Sequence, residues 1–130
     1  MIYRIDKSDR FTLPSNFRKN VAGSDIFLLE DFASVDEEKF NYLNFCTKDI
    51  YEKHTGFSDP NKHPYFISKI FKINLDEQGR LGKSVAGDHW SHIGILNGPE
   101  DVEVNFFEQE MHVWKPETWK KYTMKIEKSE

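Results

Sequence analysis

The chain opens with an alternation of apolar and polar positions that returns 70 residues later. Residues 2–6 alternate and end on an Asp, and residues 73–76 do the same. Residues of turn-forming type follow each Asp, and an Arg and an apolar residue come next. Alternation with a period of two predicts a strand, and the polar interruption predicts a tight turn. The pattern therefore predicts two similar hairpins, with Arg10 or Arg80 where each returning strand begins.

The pattern over the rest of the first half predicts where the returning strand ends. It then predicts a short helix, a buried strand and a second helix. Pro14 ends that strand, residues 10–13, because proline cannot donate a hydrogen bond to a neighbouring strand. A short helix is predicted to follow and to be closed by Gly23. Residues 26–29 form a continuous apolar run that indicates a buried strand. Apolar residues at roughly helical spacing predict a second helix over residues 36–54.

The second half predicts a comparable series of elements. Gly, Ser, Asp, Asn and two Pro within residues 56–64 indicate a loop between the halves. After the second turn we predict one or two helical turns at 84–90, strands at 92–96, 102–106 and 111–114, a turn at 97–101, and a helix from Pro116 with a frayed tail at 125–130. This order predicts an α+β fold with mostly antiparallel strands. Residues 1–130 would form one domain of two pseudo-repeats, at about 1–56 and 65–124.

Composition narrows the class of protein. Hydrophobic residues make up 38% of the 130-residue chain and aromatic residues 15%, which is enough for a core rich in rings. The chain has no apolar run of about eighteen residues, so no membrane-spanning helix is predicted. No apolar stretch follows Met1, so we expect no secretory signal. The single cysteine, Cys46, excludes an intrachain disulfide, fits a reducing cytoplasm and is predicted to be a buried thiol.

The distribution of charge leaves two interpretations open. A net charge of −4 argues against a general nucleic-acid binder, which usually carries an excess of Lys and Arg. Acids are concentrated at residues 25–38 and 99–110, whereas basic residues cluster in the first twenty positions. This separation allows one positive face on an acidic protein. The alternative is an ordinary solvated surface.

The order of these motifs resembles that of the MraZ family, bacterial proteins encoded beside division and cell-wall genes. The first half matches through IDKSDRFTLPSNFR at residues 5–18. The second half matches through LDEQGRL at 75–81, IGIL at 93–96 and HVWKPETW at 112–119. The resemblance covers about residues 2–122, and its specificity lies in the order and spacing of the motifs.

The resemblance implies both a fold and a function. The fold would be a duplicated AbrB/MraZ-like swapped-hairpin β-barrel with short helices. The protein would be a DNA-binding transcriptional regulator of the bacterial cytoplasm and nucleoid, not an enzyme. Its partners would be double-stranded DNA and further copies of itself in a homo-oligomer or ring, with no membrane, no cofactor and no metal.

The family's DNA contacts come from the repeated Asp-x-x-Gly-Arg turns. The resemblance therefore implies DNA contact by Arg10 and Arg80. It implies that the turns themselves are shaped by Asp6, Asp76 and Gly79. Further candidates for DNA contact, taken from their places in or just after the turns, are Lys7, Gln78 and Lys83.

Two departures from the family pattern bear on DNA binding. Asp9 stands where the family has Gly, which keeps a turn-compatible residue but adds an anion beside Arg10. Residues 81–84 replace an apolar-Pro continuation into a helix. Both departures, with the acidic net charge, favour an alternative function: a protein-interaction module that keeps the fold and has lost DNA binding.

The two arginines themselves have two interpretations. A guanidinium group matches the acceptor geometry of a phosphate or of a guanine edge. Each arginine could instead pair with the Asp of its own turn and only hold the hairpin together.

Histidines and acids raise a third hypothesis, a metal-dependent hydrolase. Residues 88–92 form a D-H-x-x-H sequence, but a zinc site needs three or four convergent ligands. This pair of histidines crosses a predicted helix–strand junction, and no catalytic signature accompanies it. We therefore predict neither a metal site nor catalytic residues.

Aromatic residues suggest packing and self-association. Trp114 and Trp119 flank Pro116 and predict a clamp for the last helix, with a subunit contact as the alternative. Oligomerisation is expected through rings on the predicted mid-chain helix. The candidates are Phe40, Tyr42, Phe45 and Tyr51.

Overall fold

The computed structural model describes residues 1–6, 11–21, 25–55, 70–73, 80–81, 89–96 and 98–129. Its strands are β1 (Ile2–Ile5), β2 (Phe11–Thr12), β3 (Ile26–Val35), β4 (Glu38–Thr47), β5 (Ile70–Ile73), β6 (Arg80–Leu81), β7 (Glu100–Phe106) and β8 (Glu110–Trp114). Its helices are α1 (Ser15–Asn20), α2 (Lys48–Thr55) and α3 (Pro116–Ser129), and a 3₁₀ turn spans Ser91–Ile93. The α+β fold with antiparallel strands is therefore confirmed.

Among the described residues, six strands form the central sheet, in the order β1-β7-β8-β4-β3-β5, and β2 pairs with β6 in a separate two-stranded ribbon. All of these pairings are antiparallel. The strands on either side of each predicted turn are therefore separated: β1 pairs with β7 and β5 with β3, whereas β2 and β6 pair with each other. In the described residues, neither turn closes a simple hairpin. The architecture is compatible with a small barrel-like fold.

One face of the central sheet, here termed the inner face, carries the main core. Leu43 and Phe45 of β4 lie opposite Val113 and Met111 of β8, and all four are buried. Buried side chains of β2, α1 and the segment around the 3₁₀ turn belong to the same core. Phe11 of β2, for example, meets the Trp90 ring edge to face, with centroids 5.6 Å apart. Burial of these apolar residues holds the ribbon and α1 against the sheet.

The opposite, outer face is covered by two helices. α2 places Tyr51 beside Phe27, with ring centroids 5.5 Å apart, in a small core that also contains Leu29 and Cys46. α3 covers the other end of β4, where Phe40 contacts Tyr122 at 5.6 Å. The predictions of a buried Cys46 thiol and of a helix from Pro116 are confirmed.

The predicted helix over residues 36–54 is wrong for most of its length. Asp36 and Glu37 have positive φ angles of 51° and 70° and form a two-residue turn between β3 and β4. Residues 38–47 form β4, and only the last part of the interval, α2, is helical. β4 lies between β3 and β8 with both faces covered, so its apolar residues do not alternate cleanly. Without that alternation, the positions of the apolar residues in the sequence resemble the spacing of a helix.

Two further predictions differ from the structure in the second half. His92 and Ile93 lie in the 3₁₀ turn and not in a strand over 92–96, because Gly94 takes a left-handed φ of 83° and turns the chain. The predicted frayed tail is helical as far as Ser129. The predicted strands at 102–106 and 111–114 are confirmed.

The rings predicted to support oligomerisation are used inside the chain. Phe40, Phe45 and Tyr51 are buried. Tyr42 stacks on Trp114, with ring centroids 4.6 Å apart. Trp114 also contacts Trp119 at 5.1 Å, which confirms the predicted clamp on the last helix. The four mid-chain rings therefore do not form an exposed patch.

Candidate functional site

The candidate nucleic-acid interface centres on the β2–β6 ribbon. β6 begins at Arg80, whose Cα lies opposite that of Thr12, and Phe11 lies opposite Leu81. Arg10 immediately precedes β2 in the sequence. The strands that follow the two turns are thus neighbours, and they run in opposite directions.

Most residues predicted for this interface lie outside the described residues: Lys7, Arg10, Asp76, Gln78, Gly79 and Lys83. The structure gives the strand position of Arg80 but not its side chain. Asp6 follows β1 directly and is half-buried. The two interpretations of the arginines, DNA contact or a bond to the turn Asp, therefore remain predictions.

Two described cations follow β2 on the short helix α1. Arg18 and Lys19 occupy the last turn of α1, where the helix dipole favours positive charge. Lys19 is exposed and Arg18 is half-buried. Phe17 of the same helix is buried in the main core, which fixes α1 close to β2. Arg18 and Lys19 are thus the described members of the basic cluster that lie on α1.

Acidic residues mark other parts of the surface. Asp36, Glu37 and Glu38 are exposed in a row at the turn between β3 and β4. On the edge strand, Arg4 of β1 approaches Asp101 of β7 at 4.0 Å, and both side chains are more than half exposed. Such an exposed pair contributes little to stability. Arg4 is thus a cation at the sheet edge whose ion pair with Asp101 is long and exposed to solvent.

A polar group on the outer face was not anticipated from the sequence. His112 Nε2 lies 2.7 Å from Glu110 Oε1, and Asn44 Nδ2 donates to the same oxygen at 3.3 Å. Tyr42 Oη donates to Asp31 Oδ2 at 3.1 Å. The available signal is that Glu110 and His112 share one face of β8. Asn44 of β4, which donates to Glu110, lies 66 residues away in the sequence.

Burial and nearby acids raise two pKa values in this region. Burial raises the pKa of the Cys46 thiol to about 12, and the charges of Glu110 and Asp31 add to the shift. Burial also raises the pKa of Tyr42 above its usual value, with a further rise from Asp31. Both groups are therefore neutral at ordinary pH, and a thiol held in this way is a poor nucleophile.

The histidines of the D-H-x-x-H sequence do not converge on a metal site. His89 Nδ1 lies 3.8 Å from Glu30, whereas His92 Nε2 donates to the backbone carbonyl of Asp31 at 2.8 Å. Among the described residues, no three His, Cys, Asp or Glu side chains are placed to hold a metal ion. Asp88 lies outside the described residues.

Several pockets border α3, and two of them combine it with the sheet or with the 3₁₀ turn. An aromatic pocket of about 650 Å³ lies between α3 and the outer face of β7 and β8, and Phe107, His112, Trp119 and Tyr122 are among its lining residues. A smaller, polar pocket of about 370 Å³ lies at the start of α3, with Lys39 and Lys115 in its lining.

Comparison with known proteins gives no assignment: no protein-family model, curated protein or solved structure matches the chain. In the part of the chain that the structure describes, no helix is long and apolar enough to cross a membrane.

Proposed function

We propose that this protein is a DNA-binding transcriptional regulator without enzymatic activity, acting in the bacterial cytoplasm at the nucleoid. The observation that supports the proposal is the pairing of β2 with β6. It brings together the two strands that follow the predicted arginine-bearing turns. Two cationic turns joined through one ribbon could contact neighbouring phosphates of a duplex, since guanidinium groups bind phosphate oxygens well.

The same pairing supports a duplicated swapped-hairpin fold. β2 pairs with β6 and β4 with β8, and both registers set residues 70 positions apart opposite each other: Phe11 with Leu81, and Leu43 with Val113. The remaining strands exchange partners, because β1 pairs with β7 and β5 with β3. Two halves related by a pseudo-twofold axis, at about residues 1–56 and 65–124, would give this reciprocal arrangement.

Self-association into a homo-oligomer or ring is part of the proposal. Large apolar side chains that are exposed in the single chain could be covered by a second copy. They include Phe32, Leu96, Phe107 and Met124. Native mass measured over a dilution series tests this point, and a monomer mass at every concentration contradicts it.

The test of DNA binding uses a duplex from upstream of the protein's own gene. Fluorescence anisotropy at several salt concentrations should give an affinity that falls steeply with salt. Arg10→Ala and Arg80→Ala should each weaken binding and lower the salt slope by about one unit, because each removes one phosphate contact. If the contact is to a base edge, the loss should be about 1–3 kcal/mol and confined to one position of the site.

Arg4→Ala is the matched control. It removes an exposed arginine from the sheet edge, where the partner Asp101 is 4.0 Å away, and should leave DNA affinity unchanged. All variants are first compared with the wild type for melting temperature. Equal affinity of the wild type and the folded double variant would remove the turns from recognition.

The alternative, a protein-interaction module, is favoured by the exposed acids at the β3–β4 turn. It predicts no measurable binding of the wild-type protein to DNA at low salt. That result would replace the regulator proposal with this alternative.

A further inference from the structure

The polar pocket at the start of α3 has none of the proposed DNA-contact residues in its described lining. Lys39 of β4 and Lys115, the residue before α3, both line it. The other lining residues are Asn41, Ser91, His92, Ile93, Gly94 and Thr118. We term this site, of about 370 Å³, the lysine pocket.

Lys39 and Lys115 give the lysine pocket positive charge, and no acidic side chain of its described lining offsets that charge. Its described lining contains no Asp or Glu, although the chain has 22 acidic residues against 18 Lys and Arg. Lys39 Nζ lies 4.5 Å from the centroid of the Phe32 ring, and Lys115 Nζ donates to the Gly94 carbonyl at 3.4 Å. In the described part of the chain, neither ammonium forms an ion pair with a carboxylate. Two positive charges without a paired anion favour an anionic ligand.

Hydrogen bonds hold the wall of the lysine pocket in place. Asn41 Nδ2 donates to the His92 carbonyl at 3.2 Å, which ties the 3₁₀ turn to β4. His92 Nε2 donates to the Asp31 carbonyl at 2.8 Å, since a carbonyl oxygen can only accept. Gly94 then reverses the chain with a φ of 83°, a conformation that glycine adopts without strain. The pocket is therefore formed before any ligand arrives.

We propose that the lysine pocket binds the phosphate group of a small phosphorylated molecule. The two ammonium groups can donate charge-assisted hydrogen bonds to separate phosphate oxygens. The Thr118 hydroxyl adds a neutral donor. The volume lies within the range of small-molecule sites and leaves room beside the phosphate for a sugar-sized group. A concave site of this size suits a small ligand better than the backbone of a duplex.

The test is an NMR titration of the full chain labelled with ¹⁵N, at constant ionic strength. Inorganic phosphate and ribose 5-phosphate should each give saturable shifts of the Gly94 and Thr118 amides, whereas ribose and sodium chloride should not. Lys39→Gln and Lys115→Gln should each weaken binding about tenfold, because each removes a charged hydrogen-bond donor. Lys115→Arg keeps the charge and should retain most of the affinity.

Lys120→Gln is the matched control, because Lys120 is exposed on the same helix and does not line the pocket. An equal loss of affinity in this variant contradicts the proposal, as does a wild-type titration without saturable shifts. Should a variant fail to fold, the wild-type titration decides alone. Competition between ribose 5-phosphate and a DNA duplex for the same amides would overturn the small-molecule assignment and place the pocket in a nucleic-acid surface.

Discussion

The two faces of the central sheet bury different kinds of side chain. Along the same pair of strands, β4 and β8, successive residues point to opposite faces. On the inner face Leu43 lies opposite Val113, and only apolar side chains meet. On the outer face Asn44 lies opposite His112, and Asn44 is completely buried. One pair of strands therefore carries an apolar core on one side and a hydrogen-bonded group on the other.

This difference separates two sources of stability. Burial of apolar area has no direction, so the inner face depends on volume and shape. The polar group on the outer face depends on bonds of defined geometry, and a donor left without an acceptor there is costly. Substitutions on the two faces should therefore differ in size, in dependence on pH and in rescue by similar side chains.

The largest effect is expected on the inner face. Phe45→Ala should reduce the free energy of unfolding by about 3–5 kcal/mol, because it removes a fully buried ring and leaves a cavity. Denaturation in urea measures the loss. Lys120→Ala is the control, since Lys120 is exposed on α3 and its substitution should change stability little. A loss for Phe45→Ala no greater than that of the control would refute the assignment of the core to this face.

The next effect concerns the polar group on the outer face. Glu110→Ala removes an acceptor shared by His112 and Asn44 and should cost about 1–3 kcal/mol of unfolding free energy. Glu110→Gln retains an acceptor oxygen in nearly the same volume, so its loss should be smaller. Urea denaturation of both variants checks the prediction. Equal losses would show that the volume of the side chain matters and its acceptor does not.

A pH dependence should also distinguish the outer face. The folded pKa of Cys46, about 12, exceeds the usual thiol value of 9.0, so the unfolded chain loses this proton first. The stabilisation is thus fully present below pH 9.0 and declines as the pH rises towards about 12, by up to roughly 1.4 kcal/mol per pH unit. Tyr42 acts in the same direction at higher pH, because its pKa is also raised.

Urea denaturation as a function of pH measures this decline, and Cys46→Ala should make it shallower. Reaction of the folded wild type with an aromatic disulfide reagent should be slow and should accelerate on unfolding, because the thiol is buried and neutral. Rapid labelling of the folded protein would contradict both expectations.

The smallest effect is expected for Tyr42→Phe. This substitution removes the hydrogen bond to Asp31 but keeps the ring that stacks on Trp114, so the loss should be about 0.5–1.5 kcal/mol. Tyr42→Ala also removes the stacked ring and should cost more. If Phe and Ala are equally destabilising, the hydrogen bond and not the ring determines the role of Tyr42.

Strands with one apolar face could be predicted from the sequence. In β7, Val102 and Val104 are buried and alternate with more exposed residues, so the period of two was visible. The start of α3 was equally clear, because Pro116 is favoured at the first position of a helix. Burial of Cys46 followed from its apolar neighbourhood. In each case the local pattern and the final environment agree.

Only the tertiary structure decided β4, the polar group and the lysine pocket. β4 is covered on both faces and bonded to two neighbours, so its sequence lacks the alternation that identifies a strand. Glu110 and Asn44 are 66 residues apart and meet only because β8 lies beside β4. Lys39 and Lys115 likewise reach one pocket from distant segments. Local periodicity records which face of a segment is buried, whereas contacts between distant segments depend on how the whole sheet is assembled.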